Sequence, residues 1–303
     1  MGPILMHDPE MHQVLPRLWL FAGTGEGPPL AERLLAMGWR VRLSLVSAGA
    51  ERAYGHHPRL EVRIGAVGGH QALGIALDQA RAAGDPFALV VDATHPFAQT
   101  ISADLAAACS HHHQPLLRLH RPGPQALPAP HAQITLLPRL EGLAGLGLAG
   151  ANLLLAIGHR QLAQAITLTP GAEHHARLLP NPLGLRVAMA AGLAPERVAC
   201  LQPTPPGRPW SQSVEAALLR RWKISAILAR ESGSGTEACW RSLASQLQLQ
   251  LILVQRPSPP TGGMDLELEA LLEQAQAWLD QNSASTTPNR AQPQALPSGN
   301  RQP

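Results

Sequence analysis

The chain repeats one hydrophobic rhythm. A short apolar run stops abruptly at polar or glycine residues, and an amphipathic stretch follows. Leu18-Trp19-Leu20-Phe21-Ala22 is the first such run and Ala88-Leu89-Val90-Val91 the cleanest. Runs of four to six apolar residues without alternation fit strands covered on both faces. The pattern predicts strands over 18–22, 40–47, 61–64, 87–92, 115–120, 152–157, 174–179, 197–201, 224–229 and 250–254. Helices are predicted over 28–37, 70–83 and 97–109, and as a short segment after Arg160. Further helices run to Trp222, capped by Ser211 or Ser213, then to Gln248, and over 264–280.

Strands that alternate with helices make mainly parallel sheets. The rhythm occurs twice, in halves of comparable size. The expected fold is α/β, with two doubly wound, mainly parallel-sheet (Rossmann-like) domains facing across a cleft. Residues 122–131, with four prolines, read as a connector. The expected organisation is a flexible leader over 1–16, a first domain over 17–128, a second over 129–281, and a disordered Ser/Thr/Pro/Asn/Gln tail over 282–303.

Composition narrows the function. The chain has 303 residues, of which 45% are hydrophobic and only 3% aromatic. Its core must be built from aliphatic side chains. The net charge of +3 is dispersed and comes almost entirely from arginine. Nucleic-acid binding wants a basic run or face and is not expected, whereas a cleft for an anionic small molecule is. No apolar stretch reaches the ~18 residues a membrane span needs. Three scattered cysteines and no secretion signal point to a reducing cytoplasm. The sequence leaves the oligomeric state open, and a monomer is compatible with it.

Chemistry collects where predicted strands end. After the first strand comes Gly23-Thr24-Gly25-Glu26-Gly27, then a helix and a strand, the opening of a dinucleotide-binding βαβ unit. Glycines there let backbone N–H groups approach a pyrophosphate at the helix N-terminus. Gly23 and Gly25 fit the usual spacing, but Pro28 occupies the third glycine position. The tip of the second strand carries Ser44 and Ser47, with Arg52 beyond, and no acid. An NAD site usually has an acid there, so the pattern favours NADPH. After the fourth strand comes Asp92-Ala93-Thr94-His95-Pro96-Phe97-Ala98. His95-Pro96 stiffens the turn, which marks Asp92, Thr94 and His95 as candidate catalytic side chains, and Thr94 as a candidate cofactor contact as well. Arg118, Arg121, Arg160, Arg177 and Arg230 recur at strand ends, as does the turn Ser232-Gly233. Arginine forks bind carboxylates bidentately, so these seven are candidate substrate contacts. The consecutive histidines 111–113 and the adjacent pairs 56–57 and 174–175 lack metal-ligand spacing, so no metal site is expected.

Together these segments resemble the precorrin-6A reductase family of cobalamin biosynthesis, with its cobalt-precorrin-6A counterpart. The likeness runs from Gly23-Thr24-Gly25-Glu26 through Arg63-Ile64-Gly65, Gly68-Gly69 and Asp92 to Ala98, the most specific segment. It continues through Arg118 to Pro122, Ile157-Gly158-His159-Arg160, Ser232-Gly233 and Arg256-Pro257. The resemblance implies an NADPH-dependent reductase acting on a ring double bond of an anionic tetrapyrrole, between two Rossmann-like domains. Reduction also needs a proton, for which Asp92, His95 and water are all candidates. Departures are Gly123-Pro124 where the family often has an aromatic, Arg230-Glu231 before the Ser-Gly turn, and residues 202–210 in place of a Gly-Pro-Phe turn. Rival readings are another NADP-binding oxidoreductase and a non-catalytic nucleotide sensor. A short-chain-type dehydrogenase would carry Tyr-x-x-x-Lys, and the one tyrosine, Tyr54, is followed at that spacing by Pro58.

Overall fold

A computed structural model describes residues 15–122, 133–204 and 209–284. The expected leader and the expected connector lie almost wholly outside them. In chain order the elements are β1 (Arg17–Phe21), α1 (Gly27–Met37), β2 (Arg40–Leu45), α2 (Ala48–Glu51), β3 (Leu60–Ile64), α3 (Gly69–Ala82), β4 (Phe87–Asp92), α4 (Gln99–His111) and β5 (Leu116–Leu119). There follow β6 (Gln133–Leu137), β7 (Asn152–Leu155), α5 (Leu162–Leu168), β8 (Glu173–Leu178), α6 (Pro182–Ala190), β9 (Val198–Cys200) and α7 (Val214–Arg221). The chain ends with β10 (Ala226–Arg230), α8 (Gly235–Leu247), β11 (Gln250–Val254), β12 (Met264–Leu266) and α9 (Leu268–Ala284).

Two six-stranded sheets result, ordered β12-β5-β4-β1-β2-β3 and β6-β11-β10-β7-β8-β9. Every pairing is parallel, which fits the unalternating apolar runs. The first sheet has the doubly wound order 3-2-1-4-5-6, with β12 as its sixth strand; the second keeps 3-2-1-4-5 over β9-β8-β7-β10-β11, and β6, which precedes β7 in the chain, takes the sixth place. The order reverses between β1 and β4 in the first sheet, and between β7 and β10 in the second. Ligands of such sheets sit at that reversal, beyond the carboxyl ends of the strands. The glycine turn leaves β1, and Asp92 ends β4. Gly158-His159-Arg160 follows β7, and Arg230 to Gly233 follow β10.

Each sheet has its own core. In the first, Leu18, Leu20, Leu43, Leu89, Val91 and Leu117 pack against α1 and α9. In the second, Leu153, Leu155, Ala176 and Leu228 pack with Leu162 of α5 and Ala188 of α6. Its opposite face packs Leu154, Ile227, Leu251 and Leu253 against Ala216 of α7 and Trp240 of α8. Helices on both faces are what a doubly wound sheet requires.

The domain division differs from the sequence reading at the end of the chain. Residues 264–280 were expected as a helix of the second domain. Instead Met264–Leu266 is a strand that pairs with β5, and Leu271, Leu272, Ala275 and Leu279 of α9 enter the first core. One compact unit takes in the described residues up to Ala93, Asp104–Leu119 and the described residues from Gly262 on, while the other holds Thr94–Ala103 and the described part of His120–Thr261. Residues 282–284, assigned to the expected tail, belong to α9, and the rest of that expected tail lies outside the described residues. β6 and α6 were not expected. Ile134 and Leu136 of β6 stay exposed, and α6 starts at Pro182, which reads as a breaker unless Asn181 is seen to cap it.

Candidate active site

The turn after β1 is open. An added Cβ on Gly23 or Gly25 would meet nothing within 4 Å. The helix start behind it is not the donor array that was expected. Pro28 and Pro29 carry no N–H, the Gly27 N–H donates to the Thr24 carbonyl (3.1 Å), and the Leu30 N–H donates to the Glu26 carbonyl (3.2 Å). An anion here depends on the turn residues 23–26 and the half-buried Thr24, with only the helix dipole behind them. Tyr54 packs its hydroxyl against Gly27, where a Cβ would collide with it. Burial pushes that phenol up to about 12, which suits a packing role.

At the tip of β2 the hydroxyl candidates separate. Ser44 is 7% exposed and its Oγ accepts the Trp19 indole N–H at 2.9 Å. Ser44 is thereby a core hydrogen-bond partner, because its position in β2 points into the aromatic face of the sheet. Ser47 and Arg52 are exposed at the two ends of α2. Val46 and Ile64 were not singled out in the sequence, yet they are 71% and 46% exposed at the tips of neighbouring strands. An apolar residue one step past the last buried strand position is the only signal that could have found Val46.

The Asp92 to Ala98 segment divides by role. Asp92 is 2% exposed, with its carboxylate 3.5 Å from Arg118 Nε. Arg118 also donates to Asp265 (2.7 Å) and to the Gly262 carbonyl (3.0 Å). This pair ties β4, β5 and β12 together, so Asp92 and Arg118 are anchors of the first unit. Both are buried, although Asp92 was a catalytic candidate and Arg118 a candidate substrate contact. Thr94 and His95 are half-buried. The Phe97 N–H donates to His95 Nδ1 at 3.2 Å. With Nδ1 accepting, the neutral imidazole carries its proton on Nε2. The Thr94 hydroxyl lies 3.3 Å from Ser102 Oγ, and the Thr94 carbonyl accepts from Arg121 Nη1 at 3.0 Å.

Arg121 is itself held, since its carbonyl accepts from Arg256 Nη1. Arg256, not proposed from sequence as a site residue, also bonds through its backbone N–H to Glu231 (3.2 Å). The Ser232-Gly233 turn lies alongside. Both of its backbone N–H groups donate to one oxygen of Glu237, each at 2.7 Å. That carboxylate, at the third position of α8, reaches back over its own helix start as in a capping box. It claims donors that an anionic substrate was expected to use.

The remaining arginines differ from one another. Arg177 is 7% exposed, with Nη2 3.6 Å from Glu215, whose other oxygen accepts from the Thr204 hydroxyl (2.5 Å). Burial lowers its pKa. Its place on the α7–α8 face of β8 makes it interior, not a substrate clamp. Arg230 and Arg160 lie at the carboxyl edge. Arg230 stacks its guanidinium over Phe97 at 5.0 Å and donates to Gln161 at 2.8 Å. Arg160 is exposed. Burial, then Arg160, lowers the pKa of Arg230. Burial, then Arg160 and Arg230, lowers that of His159. Among the described residues neither arginine makes an ion pair, so this cation cluster has no acid of its own.

Two doubly wound units, one with an open glycine turn and one with arginines at its carboxyl edge, define an α/β protein of the two-domain Rossmann-like class. The comparisons sharpen this. Residues 17–280 match the family model described as precorrin-6x reductase CbiJ/CobK, and the chain belongs to that family. It is 28% identical to the cobalt-precorrin-6A reductase of Synechocystis sp. over 88% of this chain and 98% of that one. It is 31% identical to the precorrin-6A reductase of Sinorhizobium sp. over 82% of this chain and 89% of that one. A solved structure, CobK precorrin-6A reductase, superposes with a TM-score of 0.68 at 26% identity, covering 87% of this chain and 98% of that one. The protein is a reductase of cobalamin biosynthesis that acts on a carbon–carbon double bond, and its family implies a nicotinamide cofactor. Among the described residues no helix is long and apolar enough to cross a membrane.

Proposed function

We propose that the chain reduces the precorrin-6A ring, in its metal-free or cobalt-loaded form, with NADPH as the reductant. The reading is carried by the open turn at the β1–β4 reversal, where Gly23 and Gly25 face empty space. Gly23, Thr24, Gly25 and Glu26 would hold the diphosphate. Val46 and Ile64 offer apolar surface for the adenine. Ser47 and Arg52, both exposed near the tip of β2, suit a 2′-phosphate.

Bound there, NADPH supplies a hydride to one carbon of the double bond. The other carbon takes a proton. That proton would come from water, oriented by the Nε2–H of His95, whose Nδ1 accepts the Phe97 N–H. Asp92 is left an anchoring role through Arg118. On the second unit, Arg160 and Arg230 would take carboxylates of the macrocycle, and Arg121 would fix the Thr94 backbone. A soluble reaction in the cytoplasm completes the proposal.

The test is NADPH oxidation followed by absorbance, with metal-free and cobalt-loaded substrate side by side. His95→Ala should lower kcat far more than it weakens NADPH binding, and unchanged turnover would remove His95 from the chemistry. NADH matching NADPH in kcat/KM would overturn the cofactor assignment.

A further inference from the structure

The carboxyl edge of the second sheet carries an apolar feature that packing does not explain. Leu179, directly after β8, is 54% exposed, and Leu183, in the first turn of α6, is 49% exposed. Scattered exposed leucines are ordinary. These two sit on a stiff support. Asn181 caps α6 by accepting the Leu183 N–H at 2.8 Å, and Pro182 fixes the first helical position.

The support also abuts the cation cluster. A Cβ on Gly184 would lie 3.7 Å from the His159 ring and Cβ, so the turn His159–Gln161 rests on the first turn of α6. Gln161 of that turn holds Arg230, and Arg230 covers Phe97. Leucines, imidazole, two guanidiniums and a phenyl ring therefore follow one another along one edge. The occupant that complements them has an apolar body and a fringe of carboxylates. A second copy of this chain, with acids and bases interspersed, has no need of two guanidiniums without an acid between them.

We propose that Leu179 and Leu183 form the seat for the apolar face of the tetrapyrrole substrate, beside the arginines that take its carboxylates. This rests on the reading that Arg160 and Arg230 bind substrate carboxylates. The leucines select a ring over a simple polycarboxylate. Each would lose most of its remaining water contact when the ring lands.

The experiment uses the full-length enzyme and two probes, an eight-carboxylate porphyrin and citrate, with binding measured calorimetrically. The double variant Leu179→Ser/Leu183→Ser should bind the porphyrin about tenfold more weakly. Its citrate affinity, NADPH KM and Tm should be unchanged. Its KM for the natural substrate should rise by a similar factor. Porphyrin binding equal to the parent's would overturn the leucine seat. So would a parent dimer that dissociates in the double variant, which would make the leucines a subunit contact. The variant Arg160→Ala/Arg230→Ala should weaken both probes. If it weakens neither, the carboxylate reading has failed and takes the seat with it.

Discussion

Gly233 is the residue whose replacement tests the geometry of the second unit most sharply. Its φ is +69°, in the left-handed region, and a Cβ there would lie 2.9 Å from both Arg121 Cβ and the Pro122 carbonyl, and 3.1 Å from Arg256 Nη2. In Gly233→Ala the left-handed backbone costs about 1–2 kcal/mol. The overpacking costs about 1–3 kcal/mol, because one of the struck atoms is a backbone oxygen that cannot swing aside. A total of about 3 kcal/mol, in a unit of this size, lowers Tm by about 10 °C. The alternative to unfolding is displacement of Arg121, which loosens its bond to the Thr94 carbonyl. Thermal melting by circular dichroism reads the first effect. Steady-state kinetics well below both melting temperatures reads the second, as a fall in kcat/KM. A variant with parental Tm and parental kcat/KM would show that Arg121, Pro122 and Arg256 do not press on Gly233 and would refute this packing.

Ser44→Ala leaves the Trp19 indole N–H without its partner and should lower stability by about 1–3 kcal/mol with the KM for NADPH unchanged; a raised KM would restore Ser44 to the cofactor site. His175 is buried against Trp222, with ring centroids 4.9 Å apart, and burial lowers its pKa, as it does for His174. A depressed folded pKa means full stability above the unfolded value near 6.5 and progressive loss below it. A Tm series against pH should fall on the acid side of 6.5, and His175→Phe, which keeps the stack, should flatten that limb. Arg118→Met removes the ion pair with Asp92 together with the bonds to Asp265 and the Gly262 carbonyl, and should destabilise by about 3–5 kcal/mol, measured by urea denaturation; a loss under 1 kcal/mol would show that the first unit does not depend on this arginine.

The amino-acid order determined the strands, because a strand covered on both faces writes itself as a local run of apolar residues. It determined the turns too: Gly23 to Glu26 and the segment from Asp92 to Ala98 leave β1 and β4 at the sheet's reversal, and the residues after β7 and β10 do the same in the second sheet. A strand's pairing and a polar side chain's fate are different in kind. Residues 264–266 return to β5 across an intervening domain, and no local periodicity encodes a partner so distant in sequence. Arg118 and Arg177 read from sequence like Arg160 and Arg230, since each lies at or near a strand's end. Only the folded chain sets Asp92 and Asp265 beside Arg118 and Glu215 beside Arg177, while among the described residues no acid pairs with Arg160 or Arg230. Whether a charge serves the interior or a ligand is settled by what the tertiary structure brings within ~4 Å of it, because the attraction between charges outweighs the screening of water only at that range.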